Sequence, residues 1–216
     1  MKDSSIPSGR QEPPASSTGT RERLLKSATL ELVAQKGSVE LADVTRRAGV
    51  SAGAPYHHFG SKSGLIAAVV DDFYERYDKS VMDVEFEGVR WIDREELRVQ
   101  GMVEFHYNEP LAPIVLSKLD RDPAIAQVEA RWLSRHISKG ARNISKAQRD
   151  GDVSRHIDPE FAAAMILGGI RQLIVHALAR KSAPKQEALC RELRAYVVAI
   201  SQADPRNSTR KGGRRS

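Results

Sequence analysis

The chain has one cysteine, Cys190, among its 216 residues. That excludes an internal disulfide and a zinc cage built on several thiolates, and it fits a reducing compartment, so the cytoplasm is the expected location. The N-terminal MKDSSIPSGRQEPPASS lacks the apolar run a signal peptide needs, and no stretch is expected to approach a membrane span. Alternating strand-like patterns are missing throughout. Catalytic constellations are missing as well. His57, His58, His106, His136, His156 and His176 show no HExxH or similar metal spacing, and there is no Gly-rich phosphate loop. Gly168 and Gly169 lie inside an apolar helical pattern, where close helix packing explains them better than a dinucleotide site. Cys190 reads as a small buried residue rather than a nucleophile. Neither an enzyme nor a bound cofactor or metal is expected.

What is present is helical periodicity and unevenly placed charge. At 40% apolar residues the chain can bury a real core. The net charge of +6 is concentrated in two places: residues 20–64 carry +3 and residues 205–216 carry +5, leaving about −2 for the rest. Between those ends the pattern predicts a run of helices. The first should be capped by Thr20 and stop at Gly37. A connector runs from Lys62 to about Asp78, with Leu65, Val69, Phe73 and Tyr77 on one stripe and Ile66, Val70 and Tyr74 beside it. The signal is weak from Ser80 to Trp91. Helices should then start near Asp93, at Leu111, at the Asp122-Pro123 cap, at the Asp158-Pro159 cap and at Pro184.

One stretch stands apart, LADVTRRAGVSAGAPYHHFGSK from Leu41 to Lys62. Leu41, Val44 and Ala48 share one face of a short helix, with Asp43, Arg46 and Arg47 pointing to solvent. Gly49 can take the left-handed conformation that ends the helix and reverses the chain. Val50 would plug the angle, and Ser51 is the expected cap of a second helix. This is a helix-turn-helix pattern.

AGVSAGAPYHHFGSKSGL resembles the DNA-binding domain of the tetracycline-repressor (TetR) family. Tyr56, His58, Phe59, Lys62 and Leu65 fall where that family's motif has its tyrosine, aromatic or histidine, phenylalanine, lysine and leucine. The likeness covers about Thr20 to Val70. Thr45 and Glu40 depart from it, standing where the family has alanine and a threonine or serine cap, and Pro55 sits inside the second helix, tolerable only in a first turn. The resemblance implies an all-α fold, with an N-terminal three-helix DNA-binding bundle joined to a C-terminal helical ligand-binding and dimerisation domain. The corresponding division is a disordered tail at 1–18, a DNA-binding domain at 19–79, a helical domain at 80–203 and a basic disordered tail at 204–216.

The implied function is a ligand-responsive regulator, a repressor that binds a palindromic double-stranded operator as a homodimer and is released by a small-molecule effector. A transcriptional activator of the same fold, or a helical ligand-binding or scaffold protein with a vestigial helix-turn-helix, are the alternatives. The DNA-contact candidates are Arg21, Thr45, Arg46, Ser51, Ala52, Gly53, Pro55, Tyr56, His57 and Lys62. Tyr56 and Lys62 suit phosphate, while Thr45, Arg46, Ala52, Gly53 and His57 are candidates for base edges. Residues 161–170, FAAAMILGGI, are apolar on nearly every side, so a second helical partner is expected. The dimer candidates are Phe161, Met165, Gly169, Ile170, Leu173, Leu193, Tyr196, Val197 and Ile200. For the effector, Met102, Phe105, His106, Tyr107, Trp132 and His136 mix large apolar groups with a few polar ones, as small-molecule pockets do.

Overall fold

The computed structural model describes residues 17–202 apart from 89, 120 and 121. The two expected disordered tails lie almost entirely outside these residues. All regular structure among the described residues is helical: α1 Ser17–Ala34, α2 Leu41–Ala48, α3 Ala54–Phe59, α4 Lys62–Tyr77, α5 Trp91–Asn108, α6 Ala112–Ser117, α7 Pro123–Asp150, α8 Pro159–Leu178 and α9 Gln186–Ser201. The all-α expectation holds.

Local chemistry sets most of the boundaries. Gly49 ends α2 at φ 63°, ψ 45°, and Gly151 ends α7 at φ 80°, both in the left-handed region that favours glycine. Asp122 opens α7, its Oδ1 accepting from the Ala124 amide at 2.8 Å. Asp158 opens α8 in the same way, accepting from the amides of Glu160 and Phe161 at 2.9 Å. In each case proline follows the cap, where its missing amide costs nothing.

Four boundaries differ from expectation. Thr20 lies inside α1, which starts earlier, at Ser17. Beyond Tyr77 the connector does not stop but winds on as a π turn, Asp78–Met82, in the stretch that gave little signal. Helix α5 starts at Trp91, because the Asp93 carboxylate reaches back to Arg90, its Oδ1 2.6 Å from the guanidinium and its Oδ2 accepting from the backbone amide at 3.4 Å. Helix α9 starts at Gln186, two residues after Pro184.

Two apolar clusters hold the chain together. One joins Leu24, Ala28 and Leu32 of α1 and Val44 of α2 to Leu65, Val69 and Phe73 of α4, all fully buried, and continues into Leu111 and Ala112 at the start of α6 and Ile125 of α7. The other joins Tyr77 and Val81 to α5, α8 and α9 through Val103, Ile174 and Leu193. Burying a side chain of this size contributes roughly 1.5–3 kcal/mol. Helices α4, α6 and α7 contribute to both, and α4 alone also carries the chain from the N-terminal helices into the second cluster. Helix α8 is long and apolar enough, by length and composition, to cross a membrane, contrary to the expectation that no stretch approaches a span. It packs between α7 and α9, with Ala162, Ala163, Ile166, Ile170 and Ile174 buried.

His106 is 8% exposed, and its Nδ1 lies 2.7 Å from the carbonyl oxygen of Met102. Burial holds its pKa below the ordinary imidazole range, against the weaker pull of that carbonyl in the other direction. The unfolded chain, with an ordinary histidine near ~6.5, therefore takes up a proton at a pH where the folded protein does not. Stability is present above that value and lost as pH falls below it. The unfolding temperature should fall as pH is lowered from about 7 to about 5, and it should fall less steeply in His106→Phe, as thermal melts followed by circular dichroism would show.

Candidate nucleic-acid interface and effector cavity

Helices α2 and α3 are held at their angle by α1 and α4. The Arg47 side chain is exposed, as expected, and its guanidinium also bonds Glu31 of α1 at 2.7–2.8 Å, where the carboxylate is buried. Val50 packs into the cluster beneath the turn. Ser51 does not cap α3: the helix starts from Gly53, and only the Ser51 carbonyl takes part, accepting from the Ala54 amide at 3.0 Å. Capping passes to the next helix, where Ser61 Oγ accepts from the Gly64 amide at 2.9 Å. Gly64 is required there for space, since a Cβ on it would stand 2.1 Å from the Phe59 carbonyl oxygen.

The outward surface of this unit carries most of the expected DNA-contact residues. Ser51, Ala52, Gly53, Tyr56, His57, Arg46, Arg21 and Lys62 are all exposed, Tyr56 at 57%. Arg21 lies over the Phe59 ring at 5.3 Å, which brings the start of α1 to the end of α3. Arg46 pairs with Asp43 at 2.5 Å and Lys62 with Glu40 at 3.3 Å. Such exposed pairs are worth little, so both cations can be drawn to phosphate. Two expected contacts do not lie on this surface. Thr45 is 6% exposed and turns its hydroxyl back onto the Ala42 carbonyl at 3.1 Å. Pro55 is buried in the first turn of α3, where its ring fills space.

A cavity of about 580 Å³ lies among α4, α5, α6, α7 and α8. Of the expected effector residues, Met102, His106 and His136 line it. The others are elsewhere. Trp132 stacks on Tyr74, ring centroids 6.0 Å apart, and donates its Nε1 hydrogen to Asp71 at 2.7 Å. Tyr107 donates to the Pro184 carbonyl at 3.1 Å. Phe105 packs edge-on against Phe73 and Tyr77 and borders a smaller hollow of about 300 Å³. Residues not anticipated from the sequence complete the wall, among them Tyr74, Tyr77, Leu116, Glu129, Leu167 and Arg171. Arg171 left a trace, as the first charge after ten uncharged positions. Burial raises the Tyr74 phenol to about 12 and pushes Tyr77 up as well, so both keep their protons.

Polar contacts from the cavity's edge run into the connector. His136 Nε2 donates to Asp78 Oδ1 at 2.6 Å, and the Asp78 carboxylate is buried. Arg135 stands 3.4 Å from the other carboxylate oxygen. Burial lowers the His136 pKa, outweighing the opposite pull of Asp78. One turn to either side, Arg131 meets Asp71 at 2.6 Å and Lys139 meets Asp83 at 2.5 Å.

The expected dimer residues divide into two sets. Phe161 and Met165 are 72% and 50% exposed, and Gly168 continues their stripe along α8. Ile170, Leu193 and Val197 are instead buried in the chain's own core, Ile170 against the cavity. Leu173 and Ile200 are partly buried against that core. Gly169 is covered by Tyr196, whose hydroxyl donates to the Met165 carbonyl at 2.5 Å; a Cβ on Gly169 would stand 2.3 Å from the Tyr196 hydroxyl oxygen. A bulky group at Gly169 therefore damages the monomer first, and the free surface begins at Phe161.

A rigid junction between α3 and α4 makes Gly64→Ala costly. It should lower stability by about 1–3 kcal/mol in denaturant titration, because the group in the way is backbone and cannot rotate aside.

Comparison with known proteins agrees with this architecture. The family model for bacterial regulatory proteins of the tetR family matches residues 25–69. The HTH-type transcriptional regulator UidR of Escherichia coli (strain K12) is 24% identical over 194 residues, covering 85% of this chain and 94% of its own. Salmonella enterica GusR superposes with a TM-score of 0.71 at 20% identity, over 88% of this chain and 99% of that one. AibR, solved in complex with isovaleryl coenzyme A and operator DNA, gives 0.62 at 14% identity, over 86% and 100%. Residues 25–69 thus match the DNA-binding model of the tetR family, and with the helical body behind them the chain is similar in sequence to a transcriptional regulator, and in fold to solved regulators, along nearly their whole length.

Proposed function

We propose that the protein is a ligand-responsive repressor that binds a two-fold-symmetric operator as a homodimer in the bacterial cytoplasm. Residues 19–79 would meet the DNA, and residues 80–203 would hold the effector and the second copy. The observation that carries this reading is the shared wall: Tyr74 and Tyr77 of the cavity belong to α4, the helix whose start packs against the reading helix α3. AibR, which has this fold, was solved with both a small molecule and operator DNA. A ligand that fits the cavity better in one tilt of α4 than in another shifts the population of dimers whose reading heads match the operator. No enzymatic role is assigned to the cavity.

On the DNA side, Tyr56 and Lys62 position the protein on phosphates, the lysine adding charge at the start of α4 to amides that already favour an anion. Arg46, His57, Ala52 and Gly53 are left to approach base edges. Lys62→Ala should weaken binding to specific and unrelated duplexes alike and lower the slope of log affinity against log salt by about one, measured by fluorescence anisotropy over a salt series. An unchanged slope would remove Lys62 from the phosphate contacts.

The second copy is assigned to the Phe161, Met165, Gly168 stripe, which leaves two large apolar side chains in water in one protomer. Phe161→Glu combined with Met165→Glu should convert dimers to folded monomers in sedimentation velocity. It should also cost operator affinity steeply, because half-sites ~34–36 Å apart need two linked heads. A double variant that remains dimeric would place the interface elsewhere.

A further inference from the structure

Two histidines give the cavity wall acceptor nitrogens alongside its Tyr74, Tyr77, Ser117 and Arg171 donors. His106 Nδ1 faces the Met102 carbonyl oxygen at 2.7 Å, and a carbonyl can only accept, so Nδ1 carries the proton. Nε2 is then a lone-pair acceptor in the neutral ring, with no donor among the described residues. His106 is more than nine-tenths buried and lines the cavity. The buried side-chain polar atoms without a hydrogen-bond partner among the described residues are Asp78 Oδ2 and Trp91 Nε1, so the His106 nitrogen is open to the cavity rather than sealed in the core. His136 has the same arrangement: its Nε2 proton is committed to Asp78, which makes Nδ1 an acceptor too.

The surroundings of His106 are largely aromatic, with Arg171 and Glu109 the charges that act on it. Tyr77 and Phe105 rings lie 5.2 and 5.4 Å from its own, and Met102, Leu116 and Ile170 supply aliphatic wall. Such a surface favours an aromatic ring presented edge to face. The charged residues among the described lining are Arg171 and Glu129, which stand 3.8 Å apart and offset one another. Arg171 also donates to the Leu116 carbonyl at 3.1 Å. An uncharged molecule therefore enters without leaving an ion unmatched, whereas a multiply phosphorylated one finds no matching cluster of cations there.

We propose that the cavity takes an uncharged aryl alcohol, a phenol with an apolar body, whose O–H donates to Nε2 of His106 while its ring lies among Tyr77, Met102 and Leu116. The proposal rests on the regulator reading and names the chemistry of its effector site. The acceptor selects the hydroxyl, the aromatic and aliphatic wall selects the body, and the compensated Arg171 and Glu129 pair leaves a free anion no advantage.

The probe pair is 4-propylphenol and its methyl ether 4-propylanisole, which differ in the single donor. Titration calorimetry on the full-length protein should show the phenol binding at least ~10-fold tighter than the ether. His106→Phe should close that gap by loss of phenol affinity. His106→Gln, whose amide oxygen can accept, should keep part of it. Equal affinities for the two probes, binding of neither, or a gap that survives in His106→Phe would each overturn the proposal. Should His106→Phe not fold, the wild-type pair and His106→Gln decide alone, and a gap undiminished in His106→Gln counts against the contact. A parallel assay of wild-type protein on duplexes selected from a random pool separates the two readings. Protein that selects no duplex refutes the regulator, while protein that selects one but fails the phenol test refutes only this ligand class.

Discussion

The burial of α4 from two sides is the constraint on which the rest depends. Leu65, Val69, Val70 and Phe73 are fully buried against α1, α2 and the α6 to α7 segment, while Tyr77 enters the core made by α5, α8 and α9. A close-packed helix cannot shift on one side without the other registering it. The contributions differ in kind. Each buried apolar side chain is worth roughly 1.5–3 kcal/mol, whereas the exposed pairs Asp71 with Arg131 and Asp83 with Lys139 are worth at most about 1 kcal/mol each. Apolar packing thus holds α4 in place, and the polar contacts select its rotation and register against α7. Asp78 is the exception among them, being buried with His136, so it resists displacement more than its neighbours.

That arrangement explains why one helix can serve two distant surfaces. Its N-terminal turn is fastened to the reading unit by Ser61 and by the glycine that lets Phe59 approach, and also to the start of α7 by Ser63, which donates to Asp122 at 2.7 Å. Its C-terminal part supplies two tyrosines to the cavity and then winds into a π turn. A π turn carries one residue more per hydrogen-bonded ring than an α turn and is frequent at functional sites. Here it places Val81 and Met82 in the core and Asp78 under His136.

The helix-turn-helix was legible because its determinants are local. Gly49 ends α2, Pro55 is admitted at the start of α3, and the apolar spacing of Val44 and Ala48 needs only neighbours a few residues away. The misassignment on α2 has one cause. Thr45 flanks a face in a helix of eight residues, and periodicity cannot tell which neighbour of the buried stripe is covered. The fold settles it: Thr45 is buried while Arg47 stays exposed and bonds Glu31 of α1. Ser51 had the chemistry of a cap, but the turn ends two residues later than that reading required.

For the cavity and the outer face of α8, sequence composition was not enough. The clusters Met102 to Tyr107 and Trp132 to His136 were recognisable as large and partly polar, yet within each cluster adjacent residues diverge: His106 lines the cavity while Tyr107 reaches Pro184. In the same way FAAAMILGGI implied burial on several sides without saying by what, and the fold assigns Ile170 to the cavity, Gly169 to Tyr196 and Phe161 to solvent. By itself, then, the sequence determined the helical class, most helix ends and the reading motif, because hydrogen-bond caps, glycine conformations and apolar periods act within a few residues. Only the tertiary structure decided which side of each helix meets another helix, a cavity or water, because that depends on how helices far apart in the chain are rotated against one another.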